Sequence, residues 1–151
     1  MTSGTHTTAV GFQAGYSNTT GLYNTAIGAD SLKSNTTASN NTAVGYQAAY
    51  SNTTATYNTA VGYQAGYAGT TNGSNSYFGY VAGTSNSGTR NTAIGAASLN
   101  SGGSGSYNTS VGTESLSGTT SGAYNTAVGD SALKSNTTAS NNTAVGYQAG
   151  Y

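Results

Sequence analysis

Asn41-Thr42-Ala43-Val44-Gly45 is the plainest copy of a motif that decides the fold. Its closing glycine recurs as Gly11, Gly28, Gly45, Gly62, Gly79, Gly95, Gly112, Gly129 and Gly146. The spacing is 17 residues throughout, except for 16 between Gly79 and Gly95. A fixed period of this length marks a solenoid or array. Seventeen residues is too short for a two-helix repeat of about 34 residues. The wealth of Gly, Thr, Asn and Ser also disfavours helix. The period predicts an all-β parallel solenoid (β-roll) of about nine coils stacked about 4.8 Å apart, each with two short strands and two turns. Residues 1–151 read as one repeat domain with partial coils at both ends.

The columns within the period carry the detail. A β-branched or aromatic residue precedes each glycine, as Val44, Ile94 and Phe78 do, and suits a strand. The third residue after the glycine is always Ala or Ser, which implies close backbone approach at an inner face. Around it the turns take two forms. One places an aromatic after the glycine and usually a Tyr five residues after it, as in Tyr63/Gly66/Tyr67; the other places Leu fourth, as in Ala29/Leu32. The coordinated swap predicts that Tyr fills from one position the volume Leu fills from the other. The Ser-Asn-Thr-Thr stretches, such as Ser17–Thr20, have the composition of exposed loops. The motif asparagines, Asn24 to Asn142, are expected to form an amide ladder.

In an extended Asn-Thr-Ala-Val segment, Thr and Val share one face and Asn and Ala the other. Either face can line the coil. The remaining one is expected to pack on a neighbouring subunit, because a slender rod with few large apolar residues is marginal alone; the alternative is a flat solvated face carrying the Ala.

Two stretches, Leu32–Tyr50 and Leu133–Tyr151, differ only at Ala49 against Gly150. Their near-identity points to turns that are interchangeable parts. The last partial turn has six residues and the first has ten before its glycine. Tail and head together make almost one coil, which predicts head-to-tail stacking into an open filament; an excised piece of a longer fibre reads the same way.

The chemistry of active sites is sparse. The 151 residues hold three basic and three acidic side chains, a net charge of zero and no cysteine. There is no electrostatic case for nucleic acid or an acidic membrane surface, and no thiolate metal site or disulfide framework. No secretory signal opens the sequence and no window approaches the roughly 18 apolar residues of a membrane span. His6, the lone histidine, shares a column with Tyr23, Tyr57 and Tyr107 and reads as structural. Asp30 and Lys33 recur as Asp130 and Lys134 and read as solvated charges. Ser and Thr lack an activating base. No catalytic, cofactor-binding or metal-binding residue is expected, and no enzyme activity. Eight Asn-x-Ser/Thr sequons occur, at Asn18, Asn35, Asn40, Asn52, Asn72, Asn108, Asn136 and Asn141.

Asn125–Leu133 resembles the repeats of trimeric autotransporter adhesin (YadA-like) heads. Asn-Thr-Ala-Val-Gly-Tyr-Gln-Ala with Ser-Asn-Thr-Thr loops looks closer still to phage tail-fibre-like repeats. The resemblance covers essentially the whole chain. It implies a left-handed parallel β-roll assembled as a trimer, extracellular or virion-associated. Three functional classes follow: a structural fibre or filament subunit, a glycan- or receptor-binding shaft, and, distantly, an ice-binding Thr array.

Overall fold

The computed structural model describes residues 6–101 and 103–151. Nine three-residue strands form one sheet: β1 Thr8–Val10, β2 Thr25–Ile27, β3 Thr42–Val44, β4 Thr59–Val61, β5 Ser76–Phe78, β6 Thr92–Ile94, β7 Thr109–Val111, β8 Thr126–Val128 and β9 Thr143–Val145. Their spatial order is their sequence order. Every neighbouring pair is parallel and in register, as in Thr25↔Thr42, Ala26↔Ala43 and Ile27↔Val44. A parallel pair needs a crossover of a dozen or more residues; the 14 remaining residues of each period supply it. The result is the expected β-solenoid, with eight full turns between nine strands. No helix occurs among the described residues. The 16-residue coil keeps register, with Ser76 opposite Thr92. Its missing residue comes from the loop after Asn86, since Asn75 Nδ2 reaches a carbonyl 13 residues on, where the other coils span 14.

The expected second strand of each coil is absent. Backbone twist prevents it. After Gly45 (φ 133) the chain turns left-handed at Gln47 (φ 54) and again at Ala49 (φ 49), and this pattern recurs coil by coil. Alternate amides then point to opposite neighbours. Gln47 N–H donates back to Ala29 O at 2.9 Å and Ala49 N–H forward to Ala65 O at 2.9 Å. Hydrogen bonding between coils continues through the turns without extended backbone. The motif glycine is required there: a Cβ on Gly45 would lie 2.4 Å from Gly62 O.

The inward strand face is Asn and Ala. Ala26, Ala43, Ala60, Ala93 and Ala127 are buried, against the small column Ser31, Ala48, Ala65, Ala82, Ser98, Ser115 and Ala132. The alternative of a solvated Ala face is therefore incorrect. The opposing wall is so close that methyl groups fill the gap, and Thr and Val turn outward. Leu32, Leu99, Leu116 and Leu133 fill the wider part of the bore.

The predicted exchange of Tyr for Leu does not hold. Phe12, Tyr46, Tyr63 and Tyr147 are exposed. The space left by Gly66 and Gly150 is filled from a neighbouring coil, and that left by Gly83 from the strand of its own coil. Cβ atoms on Gly66 and Gly83 would lie 2.8 and 2.4 Å from the ring of Tyr77, the one buried tyrosine, and one on Gly150 would lie 2.8 Å from Leu133.

Two polar columns run through the interior. In the first, each motif Asn accepts from the backbone N–H of the next, as Asn58 N–H donates to Asn41 Oδ1 at 2.9 Å. Its own amide reaches a carbonyl across the coil, as Asn41 Nδ2 does at Ala55 O, 2.9 Å. The ladder is thus chiefly side chain to backbone. The second column was expected to be exposed loop, yet Asn18, Asn35, Asn52 and Asn86 are buried. Asn35 Nδ2 donates to Asn18 Oδ1 at 3.0 Å and to Ala38 O at 3.1 Å. A buried amide must find partners, and these Asn residues hold the loop against the core. Four sequons (Asn18, Asn35, Asn52, Asn108) are therefore inaccessible in the folded chain, whereas Asn40 and Asn141 are exposed.

Candidate functional site

The surface with the most regular chemistry is the outward strand face. Thr25, Thr42, Thr59, Thr92, Thr109 and Thr126 form one half-buried row. Beside it runs an apolar row: Val10, Ile27, Phe78, Ile94 and Val145 are exposed by 39–69 %, and Val44, Val61, Val111 and Val128 are half-buried. The row extends along all nine strands because residue and strand period coincide.

Aromatic columns border this face. Residues immediately after the glycine give the stack Tyr46–Tyr63–Tyr80, with ring centroids 5.4 Å apart at each step. Residues immediately before the motif Asn give Tyr107–Tyr124, at 4.8 Å and 9° between planes, and His6–Tyr23 at 5.2 Å. A third column, just beyond the Leu position, pairs Tyr50 with Tyr67 at 5.1 Å. The spacing follows from the coil rise of about 4.8 Å, which falls within the range of favourable offset stacking. His6 takes the structural place expected of it in the Tyr column.

Charged groups are few, and four of them form two ion pairs. Lys33 lies 3.1 Å from Asp30 in the same turn. Lys134 lies 2.5 Å from Glu114, one coil away, and not beside Asp130. The apparent recurrence fails because Ser131 and Ala132 both separate Asp130 from Leu133, which places Asp130 one step nearer the glycine than Asp30. Its carboxylate accepts from Ser131 Oγ instead, at 2.9 Å. Hydrogen bonding to Asp30 and to Glu114 raises the Lys33 and Lys134 ammonium groups above their ordinary range. Arg90 stands over the Tyr107 ring, 5.3 Å from its centroid, and donates to its hydroxyl.

Among the described residues no three His, Cys, Asp or Glu come together to hold a metal ion. The one strongly perturbed group is the Tyr77 phenol, raised by burial, and its hydroxyl donates to Asn86 Oδ1 at 3.1 Å. The residues that sequence reasoning missed are the outward valines, whose exposure was hidden because the larger apolar side chain is ordinarily the buried one. The chain matches no family model, no curated protein and no solved structure.

Proposed function

We propose that the chain is a non-catalytic structural shaft, a fibre or filament segment of extracellular or virion-associated kind, whose outward Thr–Val face is covered by further copies of itself. The apolar row along all nine strands carries this reading. The interior is built largely of Ala, Ser and Asn, so a single coil buries little apolar area of its own. A second and third copy set against the row would bury the valines, as the resemblance to trimeric adhesin heads and tail-fibre repeats implies. At the two ends of the described stack, the β1 and β9 edges have no further strand beside them. Such edges template another strand, whether the next coil belongs to the same polypeptide or to another copy.

Light scattering on the purified protein tests the covered face. An oligomer that Val61→Lys with Ile94→Lys dissociates, with the β-sheet circular dichroism kept, is the expected result. A wild-type monomer at every concentration would sink it. Negative-stain microscopy at low and high concentration tests end-to-end growth. A second reading, an adhesive shaft that meets glycans, is favoured by the exposed tyrosine columns alone, because Tyr offers rigid amphipathic contact at low entropy cost; a glycan array decides it.

A further inference from the structure

The tyrosine columns place oxidisable rings in contact on successive coils. Tyr46, Tyr63 and Tyr80 are 45, 45 and 61 % exposed, and Tyr107 and Tyr124 are 41 and 58 % exposed. Their rings stack within 4.8–5.4 Å. The groups that normally absorb oxidants are missing: the sequence has no Cys, no Trp and a single Met. An oxidant that reaches this surface meets phenols first, and meets them in ordered pairs.

We propose that these columns are sites of oxidative tyrosine coupling, which staples each coil covalently to the next. The oxidant is hydrogen peroxide acting through a haem peroxidase. Each phenol gives up one electron to the oxidised haem and one proton to solvent, leaving a phenoxyl radical. Two radicals join through ring carbons ortho to the oxygens. The two ring protons then pass to solvent while each oxygen takes up one proton, which restores both phenols. Two hydrogen atoms leave the protein per link, and one peroxide becomes two waters. Holding both partners together makes the coupling effectively unimolecular. The centroid spacing exceeds a bond length, so the rings must slide and tilt, and their exposure leaves them free to do so.

Tyr77 is the internal control. It is 4 % exposed, its hydroxyl is bound to Asn86, and it has no stacking partner among the described rings. Peroxide oxidation is expected to spare it. This inference concerns covalent chemistry between coils and stands whether or not copies of the chain assemble.

The experiment treats dilute purified protein with horseradish peroxidase and hydrogen peroxide. It reads dityrosine fluorescence, chain mass on a denaturing gel, and cross-linked peptides by mass spectrometry. Links confined to tyrosines one coil apart, in chains that still migrate as single chains, are expected. Tyr124→Phe should remove the Tyr107 link and leave the Tyr46–Tyr63–Tyr80 column reactive. Tyr63→Phe should do the reverse, since it leaves Tyr46 and Tyr80 about 10 Å apart, two coil steps. Both substitutions keep the ring, so the stack is retained. Links only between chains, links that ignore coil register, or unchanged products in both variants would overturn the proposal.

Discussion

The coils around Leu99 and Leu116 and the coils around Tyr77 fill the same bore in different ways. In the first region each coil carries its own filler, a Leu in the turn opposite the strand, held at φ 48–49. Left-handed backbone costs a branched side chain about 1–2 kcal/mol, and burial of the Leu offsets it by about 1.5–3 kcal/mol. In the second region the filler comes from β5. Tyr77 replaces the strand Ala, and two successive turns give up their side chains at Gly66 and Gly83, both at φ 59. Volume is thus conserved over neighbouring coils and not within one. The exchange has a polar consequence. The Asn column is broken at Gly69, so Asn52 Oδ1 and Asn86 Nδ2 have no hydrogen-bond partner. A cavity of about 10 Å³ remains between Asn52, Gly69 and Tyr77.

The largest expected effect is at the Tyr filler. Tyr77→Ala should cost about 3–5 kcal/mol, as other buried aromatic truncations do, read as a fall in the urea midpoint. Leu116→Ala belongs to the range of about 2–5 kcal/mol. The two regions separate on rescue. Adding Gly83→Leu to Tyr77→Ala rebuilds the first solution in the second region and should recover much of the loss; additive losses would show that the two fillings are not alternatives.

Asparagine substitutions should come next. Asn108 Oδ1 accepts from Asn125 N–H at 2.9 Å, and Asn108 Nδ2 donates to Gly122 O at 2.9 Å. Removing it orphans buried groups on both sides, and Asn108→Ala should cost about 2–3 kcal/mol. Asn52 faces the gap at Gly69 and has only its donor side engaged, at Ala55 O and Asn35 Oδ1. Asn52→Ala should cost about 1 kcal/mol. Equal losses in thermal melts would mean that the gap has no energetic meaning.

Alkali singles out the Tyr77 region. Burial raises its phenol above the ordinary value of 10.0. The unfolded chain then ionises first, so the Tyr77 contribution is intact below about pH 10 and lost as pH rises beyond it, by at most about 1.4 kcal/mol per pH unit. Tyr77→Phe should remove that share of the alkaline loss in stability measured against pH. The smallest effect is at Gly69, where an added Cβ would meet nothing nearer than 3.7 Å. Gly69→Ala should stabilise by about 0.4–1 kcal/mol through the unfolded chain. The same change at Gly88, whose Cβ would collide with Gly105 O, should destabilise.

Period and register were legible because a 17-residue repeat of one motif allows each strand only one neighbour that keeps Thr on Thr and Val on Val. The inner face was not. Hydrophobicity ranks Val above Ala, yet the narrow bore admits Ala43 and rejects Val44. Loop composition concealed the buried column of Asn18, Asn35 and Asn52, because Asn suits a solvated turn and a satisfied interior equally well; its recurrence seven residues after the glycine was the available signal. The outward apolar row became visible only when geometry had assigned the faces. Tyr77 stands out in the sequence as the one large residue in the strand Ala column, though its role depends on Gly66 and Gly83.

The backbone bonds between coils link residues 15 to 18 apart, about one period, and run along the stack, as Gly62 N–H to Val44 O does at 2.8 Å. Tension applied to the two ends therefore loads these rungs in series and peels them, where strands pulled along their own length would shear together. The weakest coil yields first while the others hold. Each release pays out about 55 Å of slack, the contour of 17 extended residues, so the rod behaves as a row of fuses that blow singly and lengthen it in equal steps.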